Sequence, residues 1–172
     1  MPNTFTKGES RHIAVWGGGL PRTTGQDGKW LCIPTGHMQA FLSMGTSSSP
    51  DTSYNPTTTA DDLGVVIWNA TSTITVKKCR IWYAQGASTN TTHALCLMRY
   101  DIDANGTLSG GDEVAGPDGD AGSDDYTTLA FTDLTMTTDN VVTSSQVLIA
   151  MIFCVDAANA AMTGKCVIEY TN

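Results

Sequence analysis

Apolar residues in this chain recur at alternate positions or in short continuous runs, and no window of ten residues carries them at the 3.6-residue spacing of a helix. Ala94, Cys96, Met98 and Tyr100 alternate with Leu95, Leu97 and Arg99. A period of two sends successive side chains to opposite faces of a pleated ribbon, so the pattern demands strands. Further short strands are read at Trp30–Ile33, Gln39–Met44, Gly64–Trp68, Thr128–Met136 and Lys165–Tyr170. Val147 to Val155 is apolar throughout, which suits a central strand covered on both faces. Ile74 and Val76 alternate in one phase, and Cys79, Ile81 and Tyr83 in the other. That flip at Lys77-Lys78 predicts one extra residue there, a β-bulge. Many short strands separated by turn residues predict an all-β sandwich or barrel.

At 172 residues the chain fits one domain. A domain of this size can bury roughly 70% of its unfolded surface, so a core needs no covalent staples. Charged residues make up only 15% of the chain, with Thr and Ser supplying the polarity, as exposed strand faces often do. Met1 to Ser10 has no apolar leader pattern and no apolar run reaches membrane-spanning length, so a soluble protein made in a cytoplasm is expected. The five cysteines are odd in number and none lies in a CxxC pair. They read as buried free thiols acting as small hydrophobes. His12, His37 and His93 have no spacing that would complete a zinc site with them.

The net charge of -8 has a single source. Asp101, Asp103, Asp112, Glu113, Asp118, Asp120, Asp124 and Asp125 fall in one segment without Lys or Arg, leaving nine acids against nine bases elsewhere. Such a balance argues against nucleic acid, whose phosphates need a basic patch. The acidic segment opens with the ligand spacing of a calcium loop: Asp101, Asp103, Asn105, the Thr107 carbonyl, Ser109 and Asp112, with Gly106 at the sharp turn. Its flanks are strand-like rather than helical, and position twelve is Asp instead of Glu. The competing reading is a solvated hairpin, because Asn105-Gly106 is itself a turn signal. Calcium is the one cofactor the sequence suggests. Gly116 to Asp125 reads as a glycine-rich surface loop.

Met1 to Lys29 is polar, glycine-rich and mildly basic, and reads as an extended N-terminal arm preceding a sandwich domain over 30–172, with a short strand possible at His12–Trp16. Arg11, Trp16, Arg22, Lys29 and Trp30 are its candidate docking residues. Gly45 to Asp62 is a Ser/Thr/Pro loop of a length often tied to interactions. No Gly-x-Ser-x-Gly, P-loop or GxGxxG in its proper context appears, so no enzyme is expected.

The strands Gly64–Trp68, Cys79–Tyr83, Ala94–Tyr100, Val147–Val155 and Cys166–Tyr170 together resemble bacteriophage capsid decoration (cement) proteins built on a jelly-roll sandwich. The resemblance covers Leu63 to Asn172 and is one of layout. It implies a jelly-roll-like antiparallel β-sandwich and a virion structural protein that binds the major capsid protein as a homotrimer on the capsid surface. It also implies assembly in a host cytoplasm, with no nucleic-acid or membrane partner. The rival readings are a virion fibre or receptor-binding module, or a calcium-dependent carbohydrate-binding module, using the acidic loops and tryptophans. A jelly-roll hydrolase is a more distant rival.

Overall fold

The computed structural model describes residues 9–20, 28–36, 42–46, 50–55, 66–85, 93–116, 130–154 and 162–172. Among these residues the regular structure is all strand: β1 (His12–Leu20), β2 (Lys29–Cys32), β3 (Trp68–Asn69), β4 (Ile74–Gln85), β5 (His93–Ile102), β6 (Leu108–Gly116), β7 (Ala130–Met136), β8 (Val141–Val142), β9 (Gln146–Cys154) and β10 (Met162–Thr171). Sheet A runs β1-β10-β4-β7 and sheet B runs β2-β9-β5-β6. The short β8 adds to β4 and the short β3 to β9. A two-pair seam, Ala115 with Met136 and Gly116 with Thr135, joins the sheets.

The connectivity follows one rule. Leaving aside the two short strands, the first strand pairs with the last (β1 with β10), the second with the next to last (β2 with β9), then β4 with β7 and β5 with β6, all antiparallel. This long hairpin is rolled so that β10 also meets β4 and β9 also meets β5. The result is a jelly-roll-like sandwich: the strand pattern predicts an all-β sandwich or barrel, and the resemblance in layout implies the jelly roll. A two-stranded ribbon alone is marginal in water; rolling it lets each half bury a face against the other.

The core between the sheets draws Cys79, Ile81, Tyr83, Cys166 and Ile168 from sheet A and Leu31, Leu95, Leu97, Leu148, Ala150 and Ile152 from sheet B. The phase flip in β4 is a bulge: Glu169 pairs with Lys78 but Tyr170 with Val76, so Lys77 is the extra residue. Ile74 and Val76 before it, and Cys79, Ile81 and Tyr83 after it, all turn inward. β9 is central in sheet B, and its two apolar faces serve different cores. Leu148, Ala150 and Ile152 face sheet A. Val147, Ile149 and Met151 face outward into a second cluster with Trp30, Cys32, Ala94, Cys96, Met98 and Tyr100. Leu42, Met44, Val66 and Leu108 roof that cluster, with Tyr54 and Ile67 at its margin. Part of the long Ser/Thr/Pro stretch is therefore a strap over sheet B. Each such apolar side chain contributes about 1.5–3 kcal/mol when fully buried.

Part of the N-terminal segment and its tryptophan join the sandwich. The arm assigned to 1–29 contains strand β1, which runs on through Gly17-Gly18-Gly19 beside β10. Trp16 and Trp30, placed on a docking surface from sequence, are 4% and 3% exposed and sit in the two cores. The large apolar area of an indole outweighs any advantage of presenting it to water. Gln39 to Phe41, part of an expected strand, and Gly116–Asp125 beyond Gly116 lie outside the described residues, as does Arg22. Cys32, Cys79, Cys96 and Cys166 are buried free thiols, as expected. Burial pushes the Cys32, Cys96 and Cys166 thiols well above their ordinary range. The side chain of Cys154 lies outside the described set.

Candidate docking face and acidic hairpin

Sheet A is apolar on one face only, so its outward face is set by the other half of each strand's alternation. Thr75, Lys78, Arg80 and Trp82 of β4, Lys165, Val167 and Glu169 of β10, and Asp133 of β7 point this way. A depression of about 540 Å³ lies there, lined by Lys78, Arg80, Trp82, Asp133, Val167 and Glu169 among others. Arg80 grips Asp133 with two hydrogen bonds, one of them 2.7 Å from Nη2 to Oδ2. That grip holds the Asp133 carboxyl below the usual range and raises Arg80. Glu169 receives Arg11 and lies 3.6 Å from the Lys78 ammonium. Lys77, the bulge residue, reaches Glu9 at 3.7 Å. The Lys165 ammonium stands 5.1 Å from the Trp82 ring centroid. Exposed pairs of this kind are each worth about 0–1 kcal/mol, so they shape the face more than they hold the fold.

Counted over the described residues, the charge here is opposite in sign to that of the chain as a whole. Among the described residues, Arg11, Lys77, Lys78, Arg80 and Lys165 stand on this side beside Glu9, Asp133 and Glu169. Lys29 and Arg99 are the other described cations. Next to the basic residues, Ile13 and Val15 of β1 are 57% and 52% exposed. Of the candidate docking residues named from sequence, Arg11 belongs to this face and Lys29 begins β2. Sequence reasoning placed a bulge at Lys77-Lys78, and β4 carries it. That reasoning did not foresee the carboxylates that β7 and β10 bring beside it.

The acidic hairpin lies elsewhere, where β5 turns into β6. The Asp103 Oδ1 accepts the N–H groups of Asn105 and Thr107, both at 2.8 Å. These bonds, the Thr107 one first, lower the Asp103 carboxyl below its ordinary range. The Thr107 carbonyl accepts the Asp103 N–H at 3.1 Å, and Gly106 takes the turn with φ +83°. Asp101 faces Ser109 across the pair and accepts the Gln146 amide at 2.9 Å. Asp112 faces Arg99, whose Nη2 is 2.8 Å from its carboxylate. The six candidate calcium ligands thus share a hairpin but engage different partners. No three His, Cys, Asp or Glu side chains converge on one point among the described residues. The donor set does not fit a calcium ion as placed, and it reads as a turn built from Asp103 outward.

The tryptophans divide similarly. Trp16 stacks on Trp68 with centroids 5.7 Å apart, and Trp30 packs on Phe153 at 5.1 Å. Only Trp82 borders the depression.

Neither a protein-family model nor a curated protein sequence matches the chain. Among solved structures, a chain of infectious bursal disease virus Gx strain overlaps it at a TM-score of 0.35 and 8% identity, over 95% of this chain and 30% of the other. A chain of the Gt strain gives 0.34 and 8%, over 96% and 38%. A chain of the T13 viral particle of the same virus gives 0.36 and 8%, over 94% and 35%. This chain spans about a third of the length of the chains it overlaps. Overlaps this loose carry no residue correspondences and no activity.

Proposed function

We propose that this chain is a structural protein of a virion that docks on the major capsid shell as a decoration protein, through the outward face of sheet A. One observation carries the reading. Among the described residues, the strap covers the outer face of sheet B, whereas the outer face of sheet A shows exposed Ile13 and Val15 beside a basic depression. An apolar patch rimmed by charge marks an interaction surface. The acidic hairpin then stands away from the shell, where like charge keeps neighbouring copies apart. A carbohydrate-binding module would need exposed aromatic platforms, and Trp16 and Trp30 are enclosed.

Co-sedimentation with undecorated shells tests this. Lys78→Glu with Lys165→Glu is expected to lower occupancy at least tenfold while the melting temperature stays within a few degrees of the parent, since rim charges control encounter and partner choice. Asn105→Lys, on the hairpin, is expected to leave occupancy unchanged. If the hairpin variant loses binding and the sheet A variant keeps it, the docking face is misassigned.

A further inference from the structure

An open sheet edge offers a row of unpaired N–H and C=O groups to any other strand. Of the four edges of this sandwich, those of β2 and β6 are covered from within, and that of β7 is paired at its Thr135–Met136 end. Beyond β2 runs the Leu42–Gly45 segment: Trp30 N–H donates to the Gly45 carbonyl at 3.0 Å, Cys32 N–H to Leu42 at 2.9 Å, and Met44 N–H to Trp30 at 2.9 Å. β6 and β7 close on each other at the seam, and β6 is further paired by Tyr54 to Leu108 and by the Gly111 N–H to Thr52 at 2.9 Å. The fourth edge is β1, which has β10 on one side and no backbone partner on the other among the described residues.

β1 also lacks the devices that usually blunt an edge. Its nine residues include no Lys, Asp, Glu or Pro, and its pairing with β10 runs without a register shift. Its outward side chains are Ile13 and Val15, the most exposed large hydrophobics among the described residues.

We propose that β1 pairs antiparallel with β1 of a second copy, about a two-fold axis through Ala14, giving a continuous sheet of eight long strands. The sequence around Ala14 is its own complement. Reversal sets Ile13 opposite Val15 of the second copy and Val15 opposite its Ile13, closing a four-residue apolar cluster on the outward face. His12 falls opposite Trp16 and Arg11 opposite Gly17. The two Arg11 side chains are then six residue steps apart, about 20 Å, beyond the screening length of roughly 8 Å at physiological salt. The acidic hairpin belongs to sheet B at the opposite margin of the sandwich, so the net charge does not oppose the contact. A foreign strand would find no charge on β1 to select it, whereas a second copy finds matched apolar pairs. Pairing one strand with itself is isologous and makes a dimer, in place of the trimer that the layout resemblance implied.

Sedimentation velocity of the purified full chain, with no shell present, tests this separately from shell docking. A monomer–dimer equilibrium is expected. Ile13→Lys with Val15→Lys places like charges opposite one another at both pairs and is expected to weaken the dimer roughly thirtyfold or more, with the melting temperature of the monomer kept. Ile13→Lys with Val15→Glu places opposite charges at the same pairs and is expected to restore the dimer at low salt. In hydrogen exchange, every second β1 amide is expected to be protected at high concentration and released on dilution. The proposal is overturned by a parent that stays monomeric or forms only trimers, by a Lys/Glu variant as weak as Lys/Lys, or by β1 protection that ignores concentration.

Discussion

On sheet B, the residues that point away from the sandwich centre are Cys96, Met98, Tyr100, Ile149 and Met151, all enclosed under Leu42, Met44 and Leu108. On sheet A, the equivalent residues are Lys78, Arg80, Lys165, Val167 and Glu169, which are exposed or half-buried among the described residues. The strands record the difference. β9 is apolar at consecutive positions because both its faces are dry, while β4 alternates because one is wet. A sheet face that its own chain roofs contributes to stability. A face left bare is free to serve binding, and its side chains can change without unfolding the domain.

The sharpest way to break this contrast is to truncate one side chain on each face. Met44→Ala is expected to cost about 2–5 kcal/mol in urea denaturation, because Met44 is 0% exposed under the strap. Val15→Ala, at 52% exposure, is expected to change stability by under about 0.5 kcal/mol. Equal costs would mean that the two faces are not differently covered. The strap can next be lifted without touching its own residues. A Cβ at Gly111 would meet Tyr100 Cε1 at 2.5 Å and Thr52 Cα at 2.9 Å. Gly111→Ala is therefore expected to cost about 1–3 kcal/mol and to speed hydrogen exchange over residues 50–55. Tyr100→Phe removes one bond, the hydroxyl to the Asp51 carbonyl at 2.8 Å, and should cost about 1 kcal/mol by the same denaturation measurement.

The smallest effect belongs to the seam where the faces meet. Burial pushes the Glu113 carboxyl above its ordinary range. A folded value above the unfolded one favours the fold most below about pH 4.3, and that advantage is lost as pH rises through the folded value. Glu113→Gln is expected to raise the melting temperature slightly at pH 7 and to leave it unchanged at pH 4. A rise at both would point to packing rather than ionisation.

Much of the roll was legible in the sequence because burial on one face or two leaves a periodic trace. The two-faced run of β9 and the bulge at Lys77 could both be read directly. β6 could not, because Ser109 to Glu113 holds no apolar residue between Leu108 and Val114, and the strand is held by its neighbours. The Gly17–Gly19 half of β1 was hidden for a related reason. Glycines read as a turn, yet a Cβ at Gly17 would lie 2.4 Å from the Gly164 carbonyl, so close strand packing requires the bare backbone. The candidate face was the least legible part. Arg80 and Asp133 are 53 positions apart, and Arg11 and Glu169 are 158 apart, so no local spacing announces either pair. The calcium-like spacing was a local signal, and the structure gives Asp103 a local task instead.

The nested pairing also sets an order in time. Arg99 and Asp112 are 13 positions apart at the hairpin end of the roll, against 158 for Arg11 and Glu169 at the other end. Closing the short loop costs less entropy and takes less time than closing the long one. The β5–β6 turn, cinched by Asp103, is thus expected to nucleate, with the ribbon zipping outward through β4 with β7 and β2 with β9. Pulse-labelled amides in β5 and β6 should be protected before those in β1, and the reverse order would exclude this route. On this route β1 joins last, so the edge that meets a second copy comes into being only once the rest of the roll is closed. Self-association is thereby delayed until the chain is past the stage at which open strands aggregate.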